Sequence, residues 1–178
     1  MLGVPKNRVL LLPYNEKWVD EYSKVKELFM EMFPNEIVSI EHVGSTSIPG
    51  IIAKPMLDVA IVFKDITEQV FQKMKENNYL YYGEVASGKY LFILKGENEI
   101  SLQHIHCYKS KDLTLFYEQI QFRDFLRTHS KQAKEYEELK LSLSKMYFDD
   151  RKKYTAGKQA FFDKIKVLIA QNQDTIDT

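Results

Sequence analysis

Three short segments carry side chains whose types and spacing could do chemistry. The first is Glu41-His42-Val43-Gly44-Ser45-Thr46-Ser47-Ile48-Pro49-Gly50. Gly44 lets the backbone approach a ligand closely. Ser45, Thr46 and Ser47 set hydroxyls beside backbone N–H groups, and such a loop binds an anion where a helix or turn begins. An ordinary Ser/Thr capping turn has the same composition. The spacing is not that of a P-loop. The second is Asp58, a carboxylate inside the apolar run Met56-Leu57-Asp58-Val59-Ala60-Ile61. A buried carboxylate is costly unless it is paired or bound to a metal. The third is Gln103-His104-Ile105-His106. Strand alternation puts His104 and His106 on one face, roughly 6–7 Å apart along the chain, where two imidazoles can share a metal or a phosphate. A core face with hydrogen-bonded histidines would read the same way.

A fourth group is cationic. Arg123 and Arg127 stand one helical turn apart, as do Tyr154 and Lys158, so each pair shares a helix face. Such faces are usually solvated. Lys54 precedes Pro55 just upstream of Asp58.

The elements that must position these residues follow from periodicity. Trp18, Tyr22, Val25, Phe29 and Met32 recur at helical spacing over residues 16–32, with Asn15 as N-cap and Pro34 as stop. Strands are expected at 37–43 and 56–63, the second apolar enough to be covered on both faces. Asp65 opens a helix with Glu68 in a capping box, and Val70, Phe71 and Met74 form its stripe. Strands follow at 79–82, 89–95 and 100–108, the last two joined at Gly96-Glu97-Asn98. From residue 112 onward the pattern is helical. Asp112 and Ser130 are the expected N-caps, Ala133, Tyr136, Leu139, Leu143 and Met146 one buried stripe, and Thr155 the start of the last helix. Phe162, Ile165 and Ile169 point inward there, and residues 171–178 are expected to fray. The order predicts an α+β fold, one mixed sheet flanked by helices. The expected arrangement is a single domain over 1–178, with a sheet-bearing core at 1–108 and a helical part at 109–178.

Composition narrows the partners. The chain has 178 residues, 44% of them hydrophobic, enough for a core and against disorder. Twenty-five Lys and Arg balance twenty-five Asp and Glu, which speaks against a long nucleic acid but allows a locally basic cleft. Cys107 is the sole cysteine, so no intrachain disulfide or cysteine-rich zinc site is possible. The apolar run at 9–12 is too short for a signal segment, and no run approaches a membrane span. A cytoplasmic protein is expected.

Taken together, these segments resemble the GrpB-like family of the nucleotidyltransferase-fold superfamily. The likeness begins at Tyr14-Asn15-Glu16-Lys17-Trp18. It is strongest from Ile40 through Gly50 and at Ala53-Lys54-Pro55-Met56-Leu57-Asp58. It continues at His104-Ile105-His106 and Phe122-Arg123-Asp124-Phe125-Leu126-Arg127, and closes at Tyr154-Thr155, Lys158 and Phe161-Phe162. The resemblance implies a mixed sheet with flanking helices and transfer of a nucleoside monophosphate from a nucleoside triphosphate to an acceptor. It implies that Gly44-Ser45 holds the triphosphate and that an Asp-x-Asp pair on the next strand binds metal. Asp58 matches the first acid, but Ala60 stands at the second. A third acid of the superfamily falls on a later strand, to which His104 and His106 could correspond. GrpB-like domains also resemble segments fused to dephospho-coenzyme A kinases, which implies an accessory role.

One Asp is a poor site for two Mg²⁺ ions, because two-metal phosphoryl transfer needs several carboxylates. Imidazoles suit Zn²⁺ or Mn²⁺ better than Mg²⁺. Glu41 or His42 would complete the site, although a regular strand points them to opposite faces. The leading expectation is a metal-dependent nucleotidyl- or phosphoryl-transfer enzyme acting on a nucleoside triphosphate or other phosphorylated small molecule. Gly44, Ser45, Thr46 and Ser47 would hold phosphate, with Lys54, Arg123, Arg127, Tyr154 and Lys158 offsetting its charge. Asp58, His104 and His106 would hold a divalent Mg, Mn or Zn ion. A non-catalytic module for a nucleotide or anionic metabolite is the second reading, and a metal-dependent hydrolase using the histidine pair the third.

Overall fold

The computed structural model of the chain describes residues 2–5 and 8–174. Helix α1 (Lys17–Met32) leads into strand β1 (Ile37–Val43). A 3-10 turn at Ser45–Ser47 precedes β2 (Leu57–Phe63), and α2 (Glu68–Glu76) follows. Strands β3 (Tyr79–Ala86), β4 (Lys89–Lys95) and β5 (Ser101–Lys109) complete the sheet. Helices α3 (Thr114–Thr128), α4 (Ser130–Met146), α5 (Arg151–Ala156) and α6 (Gln159–Asp174) end the chain.

The strand order is β1-β2-β5-β4-β3. The β2–β5 pair is parallel and the other three are antiparallel, so the sheet is mixed and the fold is α+β. β2 and β5 lie inside the sheet, which accounts for the nearly unbroken burial of β2. Leu57, Val59, Ile61, Ile105 and Cys107 face α1 and α2, where Trp18, Phe29 and Phe33 bury their rings. Each of those rings stabilises the fold by roughly 1.5–3 kcal/mol on full burial. The alternate residues face the other way, and Ala60, Val62 and Tyr108 pack there with Val43 against Phe116 of α3. A further apolar cluster joins α3, α4 and α6 around Ile48 and Ile51 of the loop after β1.

Several local expectations shift. Asn15 caps α1 as expected, its side-chain oxygen accepting the Lys17 N–H at 3.0 Å. Asp65 does not open α2: its carboxylate accepts the Ile66 N–H at 2.8 Å, and Thr67, in extended conformation, stands at the helix boundary. His129 rather than Ser130 occupies the junction before α4. α3 ends one residue earlier, and the His129 ring stacks on Phe125 with centroids 3.8 Å apart. Thr155 lies within α5, which Asp150 caps by accepting the Lys153 N–H at 3.0 Å, and α6 starts after Gly157. β3 extends to Ala86, four residues beyond the strand end expected at Tyr82. Met146 is exposed. α6 stays helical to Asp174, and residues 175–178 of the expected frayed end lie outside the described residues.

Candidate functional site

Strand register explains how the separate motifs meet. In the parallel β2–β5 pair, Asp58 is opposite His104 and Ala60 opposite His106. All four side chains share the face turned to α3. The His104 Nδ1 lies 3.5 Å and the His106 Nε2 3.3 Å from the Asp58 Oδ1. One ligand atom from each of the three residues falls within a 4.8 Å span. Metal–N and metal–O bonds of about 2.0–2.2 Å fit ligand atoms this close together. The donor set would therefore suit one divalent ion of the Zn²⁺ or Mn²⁺ kind.

Burial pushes the Asp58 carboxyl up, but the hydrogen bonds and charge of His104 and His106 outweigh it and hold the group well below the usual carboxylate range. Burial pushes His106 down, and Asp58 only partly restores it. An ionised Asp and an unprotonated His are the forms that ligate metals.

The loop after β1 closes over this trio. Val43 pairs with Asp58 across β1–β2, so Gly44 lands on the Asp58 side chain. Its φ of +71° turns the chain into the 3-10 turn of Ser45–Ser47. Two arginines hold that turn from outside. Arg127 donates twice to the Ser47 carbonyl, at 3.0 and 2.7 Å. Arg123 donates from one nitrogen to Glu41 Oε2 at 2.7 Å and to the His42 carbonyl at 2.9 Å, and grips Asp124 with its other two. On the far face of β1 the His42 ring stacks on Tyr22, and its Nε2 lies 3.0 Å from Thr46 Oγ1. Burial pushes His42 down to about 4, so it is neutral.

A cavity of about 520 Å³ opens above the trio between the sheet and the C-terminal helices. Gly44, Ser45, Thr46, Lys54, Tyr154 and Lys158 line it together with Asp58, His104 and His106. Of the residues expected at the site, Glu41, His42, Ser47, Arg123 and Arg127 do not line it. Glu41 shares the face of Asp58, opposite Ala60, but its carboxylate is spent on Arg123. Strand alternation turns His42 toward α1, and neither residue joins the trio. The arginines shape the loop rather than face the cavity.

Four cavity cations were not singled out from sequence: Lys89, Lys140, Arg151 and Lys166. Lys140 is 1% exposed, lies over the Tyr136 ring at 4.6 Å and donates to the Ile52 carbonyl. A signal for it existed. Ala133, Tyr136, Lys140 and Leu143 follow each other at three, four and three residues, so Lys140 occupies the buried stripe of α4.

The fold is thus a five-stranded mixed α+β sheet whose inner strands carry an Asp/His/His trio beneath a Gly-Ser loop. The family described as GrpB protein matches residues 8–167, and the chain belongs to that family. It is 36% identical over 156 residues to the UPF0157 protein YqkA of Bacillus subtilis. That alignment covers 86% of this chain and 45% of the relative, so the chain spans less than half of that protein's length. It is 32% identical over 173 residues to the glutamate-rich protein GrpB of Alkalihalophilus pseudofirmus, covering 93% of this chain and 98% of the relative. The crystal structure of the conserved protein GrpB from Enterococcus faecalis superposes with a TM-score of 0.82 at 27% identity, over 92% of this chain and 99% of that one. Among the described residues no helix is long and apolar enough to cross a membrane.

Proposed function

We propose that the chain is a single-metal enzyme of phosphoryl or nucleotidyl transfer acting on a phosphorylated small molecule. The observation that carries this reading is the meeting of Asp58, His104 and His106 directly under the Gly44–Ser45 turn. Asp58, His104 and His106 would hold one divalent ion, which would supply Lewis-acid polarisation of a phosphoryl oxygen. Gly44 and Ser45 give a phosphate group close access to backbone N–H groups. Lys54 and Lys158 offset the charge that builds on the equatorial oxygens during transfer. Tyr136 lines the cavity beside Ser45. With Ala60 at the position of a second acid and Glu41 tied to Arg123, the trio serves one ion and not two.

A hydrolase forms the second reading. Its support is the donor set itself, two imidazoles and one carboxylate with open positions, a set common to metal-assisted hydrolysis. Water would then be the acceptor. Incubation of the metal-loaded protein with nucleoside triphosphates and Mn²⁺ or Zn²⁺ separates these readings by product. Pyrophosphate release with a nucleotidylated acceptor supports transfer, and phosphate release to water supports hydrolysis. Nucleotide binding without turnover, unchanged in Asp58→Asn, overturns both and leaves a binding module.

A further inference from the structure

The cavity wall opposite the Asp/His/His trio holds three lysines from three separate elements. Lys54 lies on the loop before β2, Lys140 on α4, and Lys158 at the junction of α5 and α6. Among the described residues none of the three makes a salt bridge. Lys140 spends one of its three N–H donors, on the Ile52 carbonyl, and Lys54 and Lys158 spend none on a hydrogen bond. Aromatic rings hold them instead. Lys54 Nζ lies 5.6 Å and Lys158 Nζ 5.0 Å from the Tyr154 ring centre, one ring shared by two ammonium groups. Glu137, the carboxylate one turn before Lys140, is engaged by the Ile52 N–H at 2.8 Å.

Burying one ammonium without a counter-ion costs several kcal/mol, and clustering three adds mutual repulsion. Burial first, and then the neighbouring lysines, bring Lys54 and Lys140 down to about 7. A solvated face has no such arrangement, and a structural ion pair would supply a carboxylate. What fits is an anion that arrives from outside. Compact ammonium groups suit the spread charge of phosphate as point charges, without the forked geometry of a guanidinium.

We propose that Lys54, Lys140 and Lys158 form a phosphate subsite that works without metal, so that the ligand bears at least two phosphoryl groups, one on these lysines and one at the trio. This deepens the reading above and rests on it for the phosphate at the trio, but the lysine subsite stands or falls without the metal. A diphosphate or triphosphate chain is the required chemistry, whether as inorganic polyphosphate or as the tail of a nucleotide.

The test is calorimetric titration of the full chain in EDTA with inorganic tripolyphosphate, ATP and orthophosphate. Saturable tripolyphosphate binding is expected in EDTA, and loading the trio with Zn²⁺ should raise its preference over orthophosphate at least tenfold, because the second phosphate site exists only with the metal. Similar affinity for ATP assigns recognition to the phosphate chain, and clearly tighter ATP binding adds contacts to its organic part; both support the subsite. Lys54→Met and Lys158→Gln remove no hydrogen bond and should each weaken binding tenfold or more, so the test survives if Lys140→Met fails to fold. Lys152→Met, an exposed lysine of α5, should change nothing. Asp58→Asn should abolish metal uptake and keep metal-free tripolyphosphate binding, which separates this subsite from the metal-centred reading. Tripolyphosphate binding that requires metal, that shows no preference over orthophosphate even with the trio loaded, or that survives both Lys54→Met and Lys158→Gln overturns the proposal.

Discussion

A Cβ built on Gly44 would lie 2.5 Å from Asp58 Oδ2 and 2.9 Å from the Asp58 Cβ, at a φ of +71°. Neither atom can retreat easily, because Asp58 is anchored in an inner strand between β1 and β5. The bare backbone of residue 44 is therefore what lets the loop sit directly on the carboxylate. Gly44→Ala should cost about 2–4 kcal/mol from overpacking and left-handed strain together. It should also weaken Zn²⁺ binding by pushing Asp58 out of line. Gly50 is the internal control. Its φ is +82° but nothing lies within 4 Å of its would-be Cβ. Gly50→Ala should cost only about 1–2 kcal/mol and leave Zn²⁺ binding alone. Thermal melts with and without metal check both, and equal behaviour of the two variants would refute the steric account.

Removing a ligand should silence the metal response. In the wild type, Zn²⁺ or Mn²⁺ at 100 times its dissociation constant should stabilise the fold by about 2.7 kcal/mol. His104→Ala, His106→Ala and Asp58→Asn should each lose about 100-fold or more in metal affinity, since a direct ligand matters more than an outer partner worth about 10–100-fold. His42→Ala and Glu41→Gln should keep the metal-induced rise in melting temperature, because neither side chain joins the trio. A rise that disappears in those two variants would place the metal elsewhere.

Legibility in the sequence followed the range of the interaction. The helical period that marks α1 and the apolar run that marks β2 are local, and both elements lie where those patterns put them. Asp58 stood out because one charge interrupts an apolar strand. Its partners stood out because His104 and His106 share a strand face. What brings them together is the parallel β2–β5 pairing of residues 46 positions apart, and no local pattern encodes that register. The arginines misled for the same reason. Arg123 and Arg127 read as a free cationic face, yet their partners Glu41 and Ser47 come from β1 and the turn after it, 82 and 80 positions earlier in the chain. Lys140 was hidden by its type, since a lysine in a charged helix normally faces water even when its spacing says otherwise.

The depressed lysines of the cavity should make stability rise with pH. Unfolded lysine binds its proton up to a pH of about 10.4, whereas Lys54 and Lys140 in the fold release theirs at about 7. Between those values the unfolded chain holds more protons, so raising the pH favours the fold. The slope is at most about 1.4 kcal/mol per pH unit for each group, reduced by screening. Below pH 7 both states are protonated and the contribution is flat. Denaturant unfolding at pH 7.0, 8.0 and 9.0 should show the increase, and Lys54→Met should reduce the slope. Stability that falls over this range, or a slope that Lys54→Met leaves unchanged, would show that these ammonium groups are not buried as described.

The arginine clamp should separate loop order from metal binding. Arg127→Ala leaves the Ser47 carbonyl without its two donors, costing about 1–3 kcal/mol, and frees the turn that carries Ser45. Anion affinity should fall several-fold while Zn²⁺ affinity stays within about threefold, because strand register and not the loop positions the trio. Arg123 is a harder loss. Its guanidinium serves Glu41, Asp124 and the His42 carbonyl at once, and its side chain is only 9% exposed. Arg123→Ala strands Glu41 in a partly buried site and should cost about 3 kcal/mol. Arg123→Lys should recover little, since one ammonium cannot span three partners that a planar fork reaches. Full rescue by lysine, measured as melting temperature, would show that charge alone and not the fork holds β1 to α3.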